Sequence, residues 1–197
     1  MTKTYEAQLI NEAIFSGITD IGENRVQEIL EKFSSVLPAN WHMIGHLQRN
    51  KVKAIIGKVG LIHSVDSFEL AEEIDYRAGI AGIGVDILIQ VNTAGEQSKF
   101  GIATDATDLL IPKILERCEN VRVRGLMCMA PYADDPEDVR PFFRETKALF
   151  ESLKAVSHER LDLKLLSMGM SGDFGVAIEE GSNMVRIGTA IFGGRNY

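Results

Sequence analysis

The sequence predicts an α/β fold of the (β/α)8 barrel type with its first strand largely missing, and three observations carry that reading. Seven short apolar runs alternate with longer segments of helical periodicity. Several of the runs are apolar on both faces, as Val85-Asp86-Ile87-Leu88-Ile89-Gln90-Val91 largely is, which suits strands of a buried parallel sheet. The alternation runs through all 197 residues with no linker or shift in composition, which predicts one domain over 1–197. A doubly wound open sheet is the structural alternative. It is disfavoured because no glycine-rich turn of the dinucleotide-binding type follows any of the runs.

Thr2-Lys3-Thr4 stands directly ahead of a helical segment and reads as the tail of a first strand. The helix over 6–15 places Ala7, Ile10, Ala13 and Ile14 on one face. A strand over 19–24 ends in Gly22-Glu23-Asn24, and a helix over 25–32 follows. After a strand over 41–45 comes the basic cluster Arg49-Asn50-Lys51-Val52-Lys53, read as a solvated helix face with an anion site as the alternative. A strand over 61–66 precedes Ser67, which reads as the N-cap of a helix over 68–78 with Glu69 and Glu72 in its first turns. The strand over 85–92 leads to a helical segment over 108–117, where Pro112 predicts a late start or a kink. A strand over 121–130 is followed by a helix over 140–156 that repeats Phe142, Thr146, Leu149, Phe150 and Leu153 at helical spacing. Strands over 163–169 and 184–192 complete the series.

The charge of −7, from 21 Lys and Arg against 28 Asp and Glu, argues against general nucleic-acid binding. Cys118 and Cys128 match no metal or redox spacing, and Cys128 lies in an apolar run, so no disulfide is expected. His42, His46 and His63 lack the spacing of a zinc site. No signal-like start and no long apolar run is present, which predicts a cytoplasmic chain with no membrane partner.

In barrels of this kind the chemistry collects at the carboxyl ends of the strands, with phosphate sites after the last two. Here those ends read Ser167-Met168-Gly169-Met170-Ser171-Gly172-Asp173 and Arg186-Ile187-Gly188-Thr189-Ala190-Ile191-Phe192-Gly193. Glycines allow close approach of the backbone, Ser171 and Thr189 offer hydroxyls, and exposed amides complete an anion cradle. Two ordinary turns are the plainer reading, but the pattern at both ends favours a phosphate. Arg186 lies between Val185 and Ile187 and needs a partner, either a core carboxylate or a ligand. Lys3 is either a solvated terminal residue or an amine able to form a Schiff base. Asn24 either caps the next helix or orients a ring oxygen. Lys99, in Gln97-Ser98-Lys99-Phe100-Gly101, either assists an anion or forms a loop salt bridge.

These residues, with Trp41-His42-Met43-Ile44-Gly45-His46-Leu47-Gln48-Arg49-Asn50-Lys51, His63-Ser64-Val65-Asp66 and Val123-Arg124-Gly125-Leu126-Met127, closely resemble the pyridoxal phosphate (PLP) homeostasis family. That family comprises the single-barrel relatives of the alanine racemase N-terminal domain, and the likeness runs from Thr2 to Tyr197. The resemblance implies a PLP carrier. Lys3 matches the lysine that holds the aldehyde as an aldimine, and Asn24 matches the asparagine beside the cofactor. Ser171, Gly188 and Thr189 match the phosphate cradle. Arg186 matches the arginine near the pyridine ring, which would weaken the ring as an electron sink. It further implies intracellular PLP homeostasis without robust catalysis, PLP-dependent apoenzymes as partners, and a monomer or weak dimer. A PLP-dependent amino-acid racemase is the alternative, and it needs a second base that no tyrosine motif here supplies. Relatives carry roughly a helix and most of a strand ahead of the lysine, which this chain lacks. The expectation is therefore of unpaired edges on strands 19–24 and 184–192, exposed core between them, and a loosely held Lys3.

Overall fold

The structure, a computed structural model, describes residues 1–96 and 99–194; Gln97 and Ser98 of the loop motif, and the last three residues of the resemblance, lie outside the described residues. The helices are α1 (Ala7–Phe15), α2 (Val26–Lys32), α3 (Val52–Ile55), α4 (Phe68–Ala81), α5 (Thr107–Arg117), α6 (Arg140–Leu153), α7 (Phe174–Glu179) and α8 (Thr189–Phe192). Between them run β1 (Asp20–Glu23), β2 (Asn40–Met43), β3 (Leu61–Val65), β4 (Val85–Val91), β5 (Val121–Cys128), β6 (Leu161–Met170) and β7 (Met184–Arg186). The strands lie side by side in chain order and every neighbouring pair is parallel, as a βα repeat requires.

Alternation along the strands divides the core in two. Ile87, Ile89 and Val91 of β4 join the large cluster that the helices cover, with Ile74 and Ala78 of α4 and Ile111 and Ile114 of α5. Leu88, one residue out of phase, belongs with Leu61 and Met127 to a separate cluster inside the barrel, with Leu165 and Met184 packed against it. The inward positions nearer the carboxyl ends are polar: His42, His63, Ser167 and Arg186 are all buried. Gly125 marks a register shift between β5 and β6; its φ is +156°, and a Cβ there would stand 1.7 Å from the Leu165 carbonyl oxygen. Only glycine fits.

Several expectations are corrected. The last strand stops at Arg186 rather than 192, and Thr189–Phe192 is a helical turn instead. The backbone turns out of the extended region at Gly188, with φ −129° and ψ −76°. Of the two expectations at Pro112 the late start is not met: α5 begins at Thr107 with Pro112 inside it, and Leu110, Ile111, Ile114 and Leu115 bury one face. Ser67 has the extended backbone of an N-cap, but its side chain makes no cap bond. The basic cluster, by contrast, is helical as expected, a 3-10 turn over Arg49–Lys51 leading into α3. Short elements such as α3 and α7 escape periodicity because each is under two turns long.

Between β1 and β7 the first residues of the chain fill the upper seam. Thr2 N donates to Gly22 O at 2.9 Å, and the Met1 ammonium donates to Ile187 O at 2.7 Å. Below them a cavity of about 70 Å³ separates Asp20, Ile21 and Gly22 from Met184, Val185 and Arg186. The two sides of this gap differ: Ile21 is only 3% exposed, whereas Met184 and Val185 are half-buried. Cys118 and Cys128 are buried and free, with burial pushing the Cys118 thiol up to about 11. Among the described residues no cluster of His, Cys, Asp and Glu could hold a metal, and no helix is long and apolar enough to cross a membrane.

Candidate functional site

At the carboxyl ends of the strands a cavity of about 270 Å³ brings together Lys3, Asn24, Ser171, Arg186, Gly188 and Thr189, all six residues singled out from sequence. Its size is at the small end for ligand pockets, which span roughly 300–1,000 Å³. Ile44, Met129 and Met170 supply apolar walls that the sequence did not mark as functional. The lining contains two cationic side chains, Lys3 and Arg186, and no carboxylate. Such a wall favours an anionic ligand.

Lys3 is held from both sides. Thr2 is 1% exposed, and its hydroxyl donates to Glu23 Oε1 at 2.7 Å. Lys32 Nζ donates to Thr2 O at 3.0 Å, and Thr4 N donates to Glu28 Oε2 at 2.8 Å. Lys32 also pairs with Glu23 at 2.9 Å and with Glu28 at 3.0 Å. These bonds hold Thr4 in the left-handed region at φ +68°, a costly conformation for a β-branched residue. Tyr5 then ties the segment to the end of α8, donating to Gly193 O at 2.8 Å and packing its ring on Phe192. The loosely held lysine expected from sequence is therefore corrected: its neighbours are clamped, while its own ammonium has no ion pair among the described residues. Burial pushes the Glu23 carboxyl up against the pull of Lys32 and Thr2. Burial also acts to raise Glu28, but the Thr4 amide and Lys32 outweigh it and the net shift is downward.

Asn24 does not cap α2, which has no side-chain cap; its amide oxygen is buried without a hydrogen-bond partner. Gly45 makes this placement possible, since a Cβ there would stand 2.4 Å from the Asn24 carbonyl oxygen. An orphaned amide oxygen beside a cavity is open to a donor from a ligand or a water. Arg186 is 5% exposed and has no carboxylate partner among the described residues. It donates to Ser167 O at 2.8 Å, Ser167 Oγ at 2.9 Å and Cys128 O at 2.8 Å. Burial lowers its pKa. Ser171 Oγ accepts from the amides of Gly188 and Ala190, both at 3.3 Å, so its own proton is free to face a ligand. Thr189, exposed at the rim, lines the same cavity.

The other sequence candidates lie elsewhere. Lys99 pairs with Glu96 at 3.0 Å, the loop salt bridge rather than an anion contact. His46 stacks on Phe100 with ring centroids 3.9 Å apart. The clamp of Thr2, Glu23, Lys32 and Glu28 was missed from sequence. The available signal was strand alternation, which turns Glu23 away from the cavity that Asn24 lines and toward α2.

A cofactor with a phosphate, an aldehyde and a polar ring would meet suitable groups here. Ser171 and Thr189, with Gly188 between the two strand ends, suit the phosphate, Lys3 the aldehyde, and Asn24 and Arg186 the ring atoms. The profile of the alanine racemase N-terminal domain family matches residues 2–196. A pyridoxal phosphate homeostasis protein of Aquifex aeolicus is 48% identical over 198 residues, covering 100% of this chain and 86% of that protein. The structure of PipY from Synechococcus elongatus PCC7942 with PLP bound superposes with a TM-score of 0.87 at 33% identity, covering 98% of this chain and 90% of that one. An alanine racemase of Clostridium difficile 630 shares the fold, with a TM-score of 0.77 at 16% identity, covering 96% of this chain and 51% of that one. The chain belongs to the alanine racemase N-terminal domain family and, within it, to the pyridoxal phosphate homeostasis proteins.

Proposed function

We propose that this protein binds PLP in the cavity at the strand ends and holds it in reserve for PLP-dependent apoenzymes of the cytoplasm. One observation carries the reading: a clamped lysine, an orphaned amide, a buried arginine with only neutral partners and a hydroxyl-and-amide cradle converge on one cavity. The names of the relatives and the PLP bound in PipY support it. Bound PLP supplies an aldehyde that an amine can capture and a ring that can accept electrons. Lys3 Nζ is the capturing amine, and the bonds at Thr2 and Thr4 set its distance from the cavity. Ser171 and Thr189 donate to the phosphate, and Asn24 turns whichever amide edge the ring oxygen requires. Arg186 offers the ring an N–H donor that does not release its proton.

Replacing both cradle hydroxyls, Ser171→Ala with Thr189→Ala, is expected to weaken PLP binding by about 2–4 kcal/mol, less than two full charge-assisted bonds at about 1.5–3 each because water replaces part of the exposed Thr189 contact. Fluorescence titration measures it, and an unchanged affinity places the phosphate elsewhere.

The same lining bears on catalysis. Racemisation needs an acid or base on each face of the substrate; Lys3 and Arg186 are the only titratable side chains among the described lining residues, and the Met1 ammonium is held against Ile187 O. Of the two, arginine does not give up its proton. Alanine, serine and glutamate enantiomers are expected to stay unchanged on prolonged incubation with the PLP-loaded protein. Racemisation that scales with protein and disappears in Lys3→Ala would establish an enzyme instead.

A further inference from the structure

Beneath the cavity, five strands contribute one polar side chain each to a chain of contacts inside the barrel. Asp20 of β1, His42 of β2, His63 of β3, Ser167 of β6 and Arg186 of β7 follow one another in space. His42 Nε2 lies 3.2 Å from Asp20 Oδ1, and His42 Nδ1 lies 2.9 Å from His63 Nε2. His63 Nδ1 lies 3.1 Å from Ser167 Oγ, which accepts from Arg186 Nη1 at 2.9 Å. The exposure of these groups falls from the half-exposed Asp20 to His63 at 1% and Ser167 at 0%.

We propose that Asp20, His42, His63 and Ser167 form a hydrogen-bond chain of fixed direction that positions Arg186 at the cavity while leaving its charge for the ligand. The direction follows from the ends. A guanidinium only donates and a carboxylate only accepts. Ser167 Oγ accepts from Arg186, so its proton goes to His63 Nδ1. His63 then carries its own proton on Nε2 and gives it to His42 Nδ1. His42 likewise carries its proton on Nε2, facing Asp20. The reverse assignment would set an unprotonated His42 nitrogen against the Asp20 carboxylate, two acceptors at 3.2 Å, and leave the serine proton unused. Every link also requires neutral imidazoles. Burial holds both below their usual range, helped at His63 by the charge of Arg186 and at His42 by the Met1 ammonium, with Asp20 alone pulling upward.

The arrangement answers a requirement of the site. A buried cation without acceptors is costly, but a carboxylate in contact would neutralise it. Arg186 instead rests on two backbone carbonyls and a serine oxygen whose polarity is reinforced along the chain. Its net charge stays available at the cavity. His42, His63 and Ser167 are thus positioning residues that act through Arg186.

The test begins with the ligand-free protein and does not depend on PLP. Nitrogen-15 NMR of the imidazoles at neutral pH is expected to find His42 and His63 both neutral and both protonated on Nε2. Either ring in the Nδ1-protonated form, or cationic, overturns the chain. In Ser167→Ala the Nε2 preference of His63 should be lost, whereas Ser167→Thr, which keeps the hydroxyl, should retain it. The second arm rests on the PLP-binding reading. Affinity for PLP should fall roughly tenfold in Ser167→Ala, the loss of about one hydrogen bond to a charged group, and the absorbance maximum of bound PLP should shift. Ser167→Thr should restore both. An unchanged His63 tautomer with unchanged affinity in Ser167→Ala overturns the proposal. Failure of the unmodified protein to bind PLP overturns the cofactor reading instead, and the tautomers then decide the chain alone.

Discussion

Lys3→Ala is expected to abolish the borohydride-fixable absorbance near the visible edge that the unmodified protein gives with PLP, while leaving weaker, non-covalent uptake. The argument is one of placement. Well-oriented intramolecular reactions reach effective molarities of ~10^5–10^8 M, so one clamped amine beside the aldehyde outcompetes every free one. The clamp is visible in the Thr2 and Thr4 bonds, and the Lys3 ammonium has no ion pair to surrender among the described residues. No other lysine lines the cavity among the described residues, and the one other amine of its wall, the Met1 ammonium, is engaged with Ile187 O at 2.7 Å. The remaining uptake reflects Ser171, Thr189 and Arg186. Lys3→Arg, which keeps the charge but cannot form the covalent link, should behave like Lys3→Ala after reduction. Intact-mass analysis of the borohydride-treated proteins reads the outcome directly. A full label persisting on another lysine would show that the attachment point has been misassigned.

Lys32→Met is expected to cost about 3–5 kcal/mol of stability, the range for leaving one half of a buried ion pair behind. Lys32 is the hub of the clamp, with Glu23, Glu28 and the Thr2 carbonyl all within 3.0 Å. Its exposure is 13%, and that of the Glu23 side chain is 0%, so water replaces little of what is lost. Glu23 has one escape, which is to take up a proton. Its folded pKa is already raised by burial, and losing Lys32 raises it further. A raised carboxyl favours folding fully below the unfolded value and loses that contribution as pH climbs through the folded value. The cost of Lys32→Met should therefore be larger at pH 8 than at pH 5. Adding Glu23→Gln, which removes the stranded charge, should recover part of it. Chemical denaturation at the two pH values measures all three proteins. A cost under 1 kcal/mol at both would mean that the clamp is a surface decoration. Because Lys32 holds the carbonyl ahead of Lys3, PLP capture should slow as well.

The site was legible in sequence to the extent that its chemistry is local. Gly188 and Thr189 announce a cradle because glycine, hydroxyl and amide lie within a few residues at the end of an apolar run. Arg186 stands out because a charge between Val185 and Ile187 breaks the pattern. What the charge meets was not legible. Core carboxylate and ligand were equal candidates until the fold placed Ser167 and Cys128 against it, and their sequence separations of 19 and 58 carry no signal. Asn24 shows the same limit. A cap and a ligand contact ask for the same residue after a strand, and only the fold excludes the cap, since α2 has no side-chain cap and the Asn24 amide oxygen is left without a partner.

By itself the sequence determined the order and type of the main elements, the parallel barrel and the residues at its carboxyl rim. Those follow from periodicity and from side-chain type, which act over one or two turns of chain. The tertiary structure alone decided how Lys3 is held, where β7 gives way to α8, and that two histidines without metal spacing join a serine and an arginine. Each of those depends on distances between strands far apart in the chain. Burial then converts such distances into hydrogen-bond direction and charge, because a polar group removed from water must take whatever partner the fold brings to it.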